Sequence, residues 1–384
     1  MKSPLGASRI GIGRRGTSWR ALAVGVLLGG VVSWPAASSA AEAPREDPYE
    51  LEFVDLTAEV FVSTRPESVR RPVEGNSVVV LTSRGVVVFD AGGVPRSARQ
   101  TVAEIRRRTG AQVRYLINSH GHLDHTGGNQ VWESAFPAVE ILAGSGTRDY
   151  MMGKFGDRFA YVGEIATDPS ERRAAGERQI AELQARGDPA SLAVAERLVR
   201  YYRHDILRES EAFRELEITP PTSTLLGHLE LDGARPRVRI SHLGYGKTPG
   251  DLVLDLPDEG IVATGDILTH PIPLGFSRSP VRWLATLRAL AELDRERYVP
   301  GHGDVLEGTA YLRSVIALVE ELLVDVETSI ESGKSREQTI ETVAFEESRA
   351  EFTGGDPELE YLFDRWFREP AVARAFDELV ADAR

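Results

Sequence analysis

The sequence predicts an α/β fold. Short β-branched runs alternate with amphipathic, helix-like stretches from about residue 50 onward. Of the 384 residues, 42% are hydrophobic and 27% are charged, a composition that suits a large buried core and excludes disordered and fibrous proteins. The chain has no cysteine, which excludes disulfides, thiolate metal sites and catalytic cysteines together. Any metal must therefore be bound through nitrogen and oxygen.

The first 41 residues have the pattern of a signal peptide. Basic residues up to Arg20 precede an apolar run over residues 21–32, which gives way to Pro35 and the small residues 36–41. This run is shorter than the ~20 residues that a membrane-spanning helix needs. We therefore expect export, removal of residues 1–41, and a periplasmic or secreted mature protein without a stable membrane span. A single retained membrane anchor is the alternative.

The elements of the mature chain follow from periodicity and turn residues. β-Branched runs predict strands at residues 59–63, 76–82, 85–90 and 113–117, with a hairpin turn at 83–85 and a helix at 97–108. Residues from about 147 to 217 are rich in Glu, Arg and Ala at helical spacing and predict a helical insertion. Further strands are expected at residues 224–231, 237–243, 252–256 and 260–264. Helices at 281–293 and 311–331 lead into a helical C-terminal extension over 311–384.

The charge of the chain bears on its partners. Lys and Arg total 45 against 58 Asp and Glu, a formal net charge of −13, and residues 1–41 contain basic residues but no acidic one. The mature part is therefore still more acidic and repels phosphate backbones. We expect a small-molecule substrate and no nucleic-acid partner.

Three of the eight histidines lie within six residues. His120, His122 and His125 are interleaved with Asp124 in the segment SHGHLDHTGG, residues 119–128. The segment follows the predicted strand 113–117, so these side chains lie at the carboxyl end of a strand, where open α/β sheets bind their ligands. Imidazole and carboxylate groups together suit zinc, iron or manganese.

The pattern HxHxDH resembles the signature of the metallo-β-lactamase superfamily, and other segments follow in the family's order. Asp90 in VFDAG is similar to the family's strand-end aspartate, Asp266 in ATGD to its bridging carboxylate, and His302 in PGHG to its final metal histidine. The resemblance extends over about residues 50–310. We therefore expect a metallo-β-lactamase-like domain over those residues.

The resemblance implies an αββα sandwich with a dinuclear site. The resemblance implies one metal bound by His120, His122 and a third histidine, and another bound by Asp124, His125 and His302. Asp266 would lie between the two metals as the shared carboxylate. Asp90 would hold the motif loop in place through hydrogen bonds, without binding metal.

The sequence departs from the family at the third histidine. The turn that should contain it reads GYGKTPGD over residues 244–251, with Lys247 in the histidine's place. A protonated ammonium has no lone pair and cannot coordinate a metal. His242, upstream of the turn, is a candidate substitute ligand, and His270, beyond Asp266, is a candidate for lining the cleft.

Two arrangements follow from this departure. In the first, one metal is held by Asp124, His125 and His302 with Asp266 as an added ligand, and the charge of Lys247 replaces part of the missing metal's contribution. In the second, the other site still fills weakly through its two histidines, Asp266 and water. In both, metal-bound hydroxide is the nucleophile, and Asp124 and Lys247 are the expected catalytic residues.

The expected function is that of an exported metal-dependent hydrolase of an ester, lactone, thioester or amide-type bond. Its cofactor is expected to be zinc, as one or two ions, with iron or manganese as alternatives. The competing interpretation is a non-catalytic or accessory periplasmic protein that binds metal or ligand on the same fold. The other ligand positions are intact, which favours the enzyme.

Overall fold

The computed structural model describes residues 47–67, 71–151, 169–231 and 233–382. The predicted signal peptide lies outside these residues, as does the 152–168 part of the predicted insertion. Within the described ranges, no helix combines the length and the hydropathy needed to cross a membrane.

The first sheet has seven strands in chain order. They are β1 (Glu52–Asp55), β2 (Val60–Thr64), β3 (Ser77–Thr82), β4 (Gly85–Phe89), β5 (Val113–Asn118), β6 (Glu140–Gly144) and β7 (Ser223–Leu225). Strands β1 to β4 pair antiparallel, and β4 to β7 pair parallel. The predicted hairpin between β3 and β4 is present, with Thr82 opposite Gly85.

The second sheet has six strands in the order β13-β12-β11-β10-β9-β8. They are β8 (His228–Glu230), β9 (Arg239–Ser241), β10 (Val253–Leu256), β11 (Ile261–Gly265), β12 (Arg297–Pro300) and β13 (Leu306–Glu307). Only β11 and β12 pair parallel among these described strands. The prediction of one strand over 224–231 is wrong, because Gly227, at φ +86°, breaks the run where the chain passes from the first sheet to the second.

Helices flank both sheets and form the insertion and the C-terminal extension. They are α1 (Pro95–Arg108), α2 (Leu123–Thr126), α3 (Asn129–Ala135), α4 (Pro169–Arg186), α5 (Pro189–Arg200), α6 (Ile206–Arg214), α7 (Pro280–Ala291), α8 (Ala310–Glu331), α9 (Arg336–Thr342), α10 (Glu346–Thr353), α11 (Pro357–Leu362) and α12 (Glu369–Asp382). Residues 145–151 are also helical, and π-helical turns occupy Tyr201–Asp205 and Phe363–Arg368. Several helix starts are encoded locally: Asp188 and Ser279 cap α5 and α7, and Ser335 forms a capping box with Gln338 at α9.

The side chains of β3 show how the layers are built. Val78 and Val80 face the second sheet, whereas Val79 faces α1 and α3 on the outer side. Both faces of the strand are buried, which explains its unbroken apolar sequence. Helices α7, α8 and α12 cover the outer face of the second sheet through an apolar cluster that includes Trp283 and Leu318. The expected αββα sandwich with a C-terminal helical extension is confirmed.

Strand direction determines where the candidate residues lie. Because β4 and β5 are parallel, Asp90 and Ser119 follow their carboxyl ends at one edge of the first sheet. Because β11 and β12 are parallel, Asp266 and His302 follow their carboxyl ends at one edge of the second sheet. These two edges meet, because Oδ1 of Asp266 lies 3.2 Å from Nε2 of His125.

Candidate metal centre

Six predicted ligands converge on one place in two groups. One group is His120, His122 and Asp266; the other is Asp124, His125 and His302. Within each group, one ligand atom from every residue lies within 4.8 Å of the others. The first sheet supplies four of these residues through the motif loop, residues 119–128, and the second sheet supplies Asp266 and His302.

Asp266 lies between the two groups. Its Oδ2 is 3.6 Å from Nε2 of His120, and its Oδ1 is 3.2 Å from Nε2 of His125 and 3.4 Å from Nε2 of His302. Within the second group, Oδ2 of Asp124 lies 3.1 Å from Nε2 of His302. Asp266 therefore occupies the place that the resemblance assigns to the bridging carboxylate.

Asp90 holds the motif loop in place through contacts with Ser119 and His125. It accepts hydrogen bonds from the backbone N–H of Ser119 at 2.7 Å and from the Ser119 hydroxyl at 2.8 Å, and its Oδ2 lies 2.8 Å from Nδ1 of His125. The Ser119 hydroxyl also lies 2.9 Å from Nδ1 of His120. Both histidines are thus fixed through Nδ1, which leaves Nε2 directed at the centre.

Two glycines allow the backbone to approach this closely. A Cβ on Gly127 would lie 1.9 Å from the carbonyl oxygen of Gly93, so only glycine lets the motif loop pack on the segment after β4. A Cβ on Gly301 would lie 2.1 Å from Oδ1 of Asp266. The glycines in the two motifs are therefore needed for the same convergence that brings the ligands together.

The charges around the centre set its protonation states. Burial opposes ionisation of Asp266, but the imidazoles of His302, His125 and His120 hold its pKa well below the usual value. Burial also lowers the pKa of His120 well below its usual value, an effect that the neighbouring His125 and His122 reinforce. An ionised Asp266 beside a neutral His120 suits a divalent metal. Against the effect of burial, the Asp90, Asp266 and Asp124 carboxylates hold the pKa of His125 well above its usual value, so His125 must lose a proton to bind a metal.

Unpartnered buried atoms test whether a metal fits. Nε2 of His120 and Oδ1 of Asp266 are buried and have no hydrogen-bond partner among the described residues. Buried polar atoms in native proteins are almost always paired, so two such atoms in one group of candidate ligands indicate a place for a metal. Nitrogen and carboxylate oxygen donors suit zinc, iron or manganese.

Lys247 is buried in the turn where the third histidine was expected, with 3% of the residue exposed. Its amine donates a hydrogen bond to the Leu274 carbonyl and lies 4.6 Å from the centre of the Trp283 ring. Burial lowers its pKa to about 8, against the opposing effect of the Asp266 and Asp251 carboxylates. The charge of Lys247 therefore interacts with that of Asp266, although the contacts of its amine are with Leu274 and Trp283.

The remaining histidines lie outside both groups. Nδ1 of His242 is 2.9 Å from the Asp251 carbonyl, and His242 belongs to neither group of candidate ligands. His270 adjoins the centre through its backbone, because its N–H donates to the His302 carbonyl at 3.0 Å, while its ring packs on Tyr311. His204 and His228 lie in the insertion and on β8, consistent with their lack of any sequence signal.

Sequence reasoning missed the segment before β3. Glu74 is buried, accepts a hydrogen bond from the Gly93 N–H at 2.6 Å, and has a pKa that burial raises to about 8. Gly75 and Asn76, which follow it, contact the two ligand loops. None of these residues belongs to a spaced motif, so the sequence carried no signal for them.

A family model and a curated protein match much of this chain. The family model described as the metallo-beta-lactamase superfamily matches residues 70–302, more than half of the chain. A linear primary-alkylsulfatase of Pseudomonas sp. (strain ATCC 19151) is 21% identical over 280 residues, which are 70% of this chain and 50% of that protein. The chain thus spans about half the length of this curated relative.

Two solved structures illustrate the structural similarity. The metallo-beta-lactamase FIM-1 from Pseudomonas aeruginosa, in a mono-zinc form, is 14% identical and has a TM-score of 0.49, over 72% of this chain and 97% of that one. A metallo-beta-lactamase from Pontibacter korlensis is 13% identical and has a TM-score of 0.48, over 71% and 99%.

Proposed function

The chain belongs to the metallo-beta-lactamase superfamily, and we propose that it is an exported metal-dependent hydrolase of ester, lactone, thioester or amide-type bonds. The observation that carries the proposal is the convergence of two His/Asp groups on Asp266, with buried, unpartnered donor atoms facing the space between them. Members of this superfamily are usually hydrolases. A small-molecule substrate and a periplasmic or secreted location are parts of the same proposal.

The two groups differ in how completely they can bind a metal. Asp124, His125 and His302 form a full set of three, to which Asp266 adds a fourth donor. His120 and His122 have only Asp266, because the Lys247 amine is bound to the Leu274 carbonyl and His242 does not belong to this group. We therefore assign one tightly held metal, most suitably zinc, to the group of Asp124, His125 and His302. The group of His120, His122 and Asp266 is assigned a weak site.

A divalent metal bound here would lower the pKa of a water molecule and polarise the bond to be cleaved. The chain's own residues then provide the rest of the chemistry. The Asp124 side chain is 22% exposed, whereas those of His125 and Asp266 are buried, so the centre opens toward solvent on the Asp124 side. Asp124 is placed to accept a hydrogen bond from an attacking water and to orient it.

Lys247 enters the proposal as an electrostatic partner. Its ammonium is held by Leu274 and Trp283, and the Asp266 carboxylate stabilises its charged form. The same interaction offsets part of the negative charge that Asp266 and Asp124 bring to the centre. We therefore propose that Lys247 stabilises the transition state indirectly. Its positive charge offsets the negative charge of Asp266, and its amine does not contact the substrate.

The curated relative adds a second candidate substrate class. It is described as a linear primary-alkylsulfatase. Cleavage of a sulfate ester is, like cleavage of a carboxylic ester, a hydrolysis. We propose sulfate monoesters with an alkyl chain as the class to test beside carboxylic esters, lactones and thioesters.

The test uses the chain from residue 42, loaded with zinc and assayed on p-nitrophenyl esters, a lactone, an acyl thioester, a β-lactam and a medium-chain alkyl sulfate. Metal-dependent turnover of one class, lost in His302→Ala and retained in His228→Ala, would support the enzyme. His228 is the matched control because it lies exposed on β8, outside both groups. Tight metal binding without turnover of any class would favour the accessory protein.

A further inference from the structure

Gly75 and Asn76 immediately precede β3 and lie between the motif loop and the loop that contains His302, residues 300–303. The Gly75 N–H donates to the Asp124 carbonyl at 3.1 Å. The Asn76 N–H donates to the Gly301 carbonyl at 2.8 Å. Two consecutive backbone amides therefore bind two ligand loops that come from different sheets.

The Asn76 side chain strengthens the second of these links. Its Nδ2 donates to the carbonyls of Pro300, at 3.0 Å, and Gly303, at 2.9 Å, and its Oδ1 accepts from the Thr64 hydroxyl at 2.6 Å. Only 3% of Asn76 is exposed, so water does not compete for these bonds. Together with its backbone, Asn76 binds carbonyls on both sides of His302.

Gly75 contributes through its lack of a side chain. A Cβ at this position would lie 2.6 Å from Cε1 and 2.7 Å from Nδ1 of His125. The backbone thus lies directly against the Cε1–Nδ1 edge of the His125 ring. This backbone and the Asp90 carboxylate both contact that edge, which leaves the ring little freedom to rotate.

We propose that Gly75 and Asn76 are positioning residues that hold the Asp124–His125 pair and His302 at the separation needed to bind one metal. The proposal rests on the proposed function, because it assumes that this group binds metal. Nε2 of His125 lies 3.3 Å from Nε2 of His302, although the two residues come from different sheets. Side chains outside the ligand set that orient ligands in this way typically contribute ~10–100-fold to metal affinity.

The test replaces Asn76 with a residue of the same shape. Asn76→Asp removes both side-chain donors and places a carboxylate against the Pro300 and Gly303 carbonyls. Ser63→Ala is the control, because Ser63 is buried on the adjacent strand, hydrogen-bonds only to Thr101 among the described side chains, and does not reach either ligand loop. Zinc affinity is measured by competition with a chelating dye, and the cobalt(II)-substituted proteins are compared by absorption spectroscopy.

We expect Asn76→Asp to bind zinc ~10–100-fold more weakly and to change the cobalt absorption bands, with Ser63→Ala like the wild type in both. Equal affinity in all three proteins would overturn the proposal, and so would equal weakening in both variants, which would indicate general loosening of the strands. A wild type that binds no metal would contradict the proposed function itself. If Asn76→Asp does not fold, Asn76→Ser retains one donor and should show a smaller loss of about tenfold.

Discussion

Nε2 of His125 lies 3.2 Å from Oδ1 of Asp266, which joins the motif loop of the first sheet to the carboxyl end of β11 in the second. This contact closes the centre across the two halves of the sandwich. Because each half supplies only part of the ligand set, metal affinity depends on how the loops are held as well as on the ligands themselves.

Asp90→Asn is expected to weaken zinc binding by ~10–100-fold while the protein remains folded. An asparagine can present its amide N–H₂ to Nδ1 of His125, which would favour the tautomer with a proton on Nε2 and block coordination. Zinc affinity in a chelator competition measures the effect. Asp255→Asn is the control, because Asp255 is a buried aspartate paired with Arg295 at 2.6 Å and removed from the centre. Equal zinc affinity in Asp90→Asn and wild type would contradict the role given to Asp90.

Lys247→Met is expected to lower turnover of the substrate by up to ~10²-fold while the tight metal is retained, since it removes the charge near Asp266 and keeps the side-chain length. At pH 7 the free energy of unfolding should be equal or higher, because burial disfavours the ammonium in the folded state. Lys247→His restores the histidine that the family resemblance implies at this position, and it should raise the metal content toward two ions per chain. Full activity in the methionine variant together with no added metal in the histidine variant would show that position 247 does not act on the centre.

Glu104 on α1 predicts a pH-dependent contribution to stability. Hydrogen bonds from Arg107, and then from Arg108, lower its pKa to about 2 against the effect of burial. A carboxyl group with a lowered folded-state pKa stabilises the protein above its unfolded-state pKa of 4.5, and this stabilisation is lost as the pH falls toward 2. In urea unfolding of the metal-free protein, Glu104→Gln should cost on the order of 1 kcal/mol at pH 7, after allowance for the exposed Arg107. A cost that persists unchanged at pH 3 would contradict this assignment.

Export can be tested by determining the first residue of the protein isolated from its native cells. We expect a mature chain that starts near residue 42, because the apolar run at residues 21–32 is too short to remain as a membrane span. Mass spectrometry of the intact protein from the envelope fractions identifies the cleavage site. An uncleaved chain in the membrane fraction would support the anchor instead.

The grouping of the motif residues was predictable because their spacing is a property of the chain. The HxHxDH segment needs only a preceding strand to direct its side chains to one edge, and β5 supplies it. Asp266 and His302 were predicted from resemblance to the family, and their convergence depends on the parallel pairing of β11 and β12. Strand periodicity also predicted most elements, since β3 and β4 are buried on both faces and therefore continuously apolar.

Other features depend on contacts between distant residues and leave no local pattern. Asn76 reaches the loop at residues 300–303 through the folded structure alone, and nothing in its immediate sequence distinguishes it. The break at Gly227 was missed because periodicity does not reveal that a chain crosses between sheets. The direction of the Lys247 side chain was equally hidden, since Leu274 and Trp283 come from later segments.

The most direct test of the account is the metal content of the protein expressed from residue 42, exposed to excess zinc and freed of loosely bound metal by gel filtration. We predict about one zinc ion per chain in the wild type and close to none in His302→Ala, because Asp266 adds a fourth donor to the group of Asp124, His125 and His302, whereas the group of His120, His122 and Asp266 has three. Two tightly held ions in the wild type would contradict the assignment of a single tight site. The absence of any bound metal would contradict the metal-dependent function.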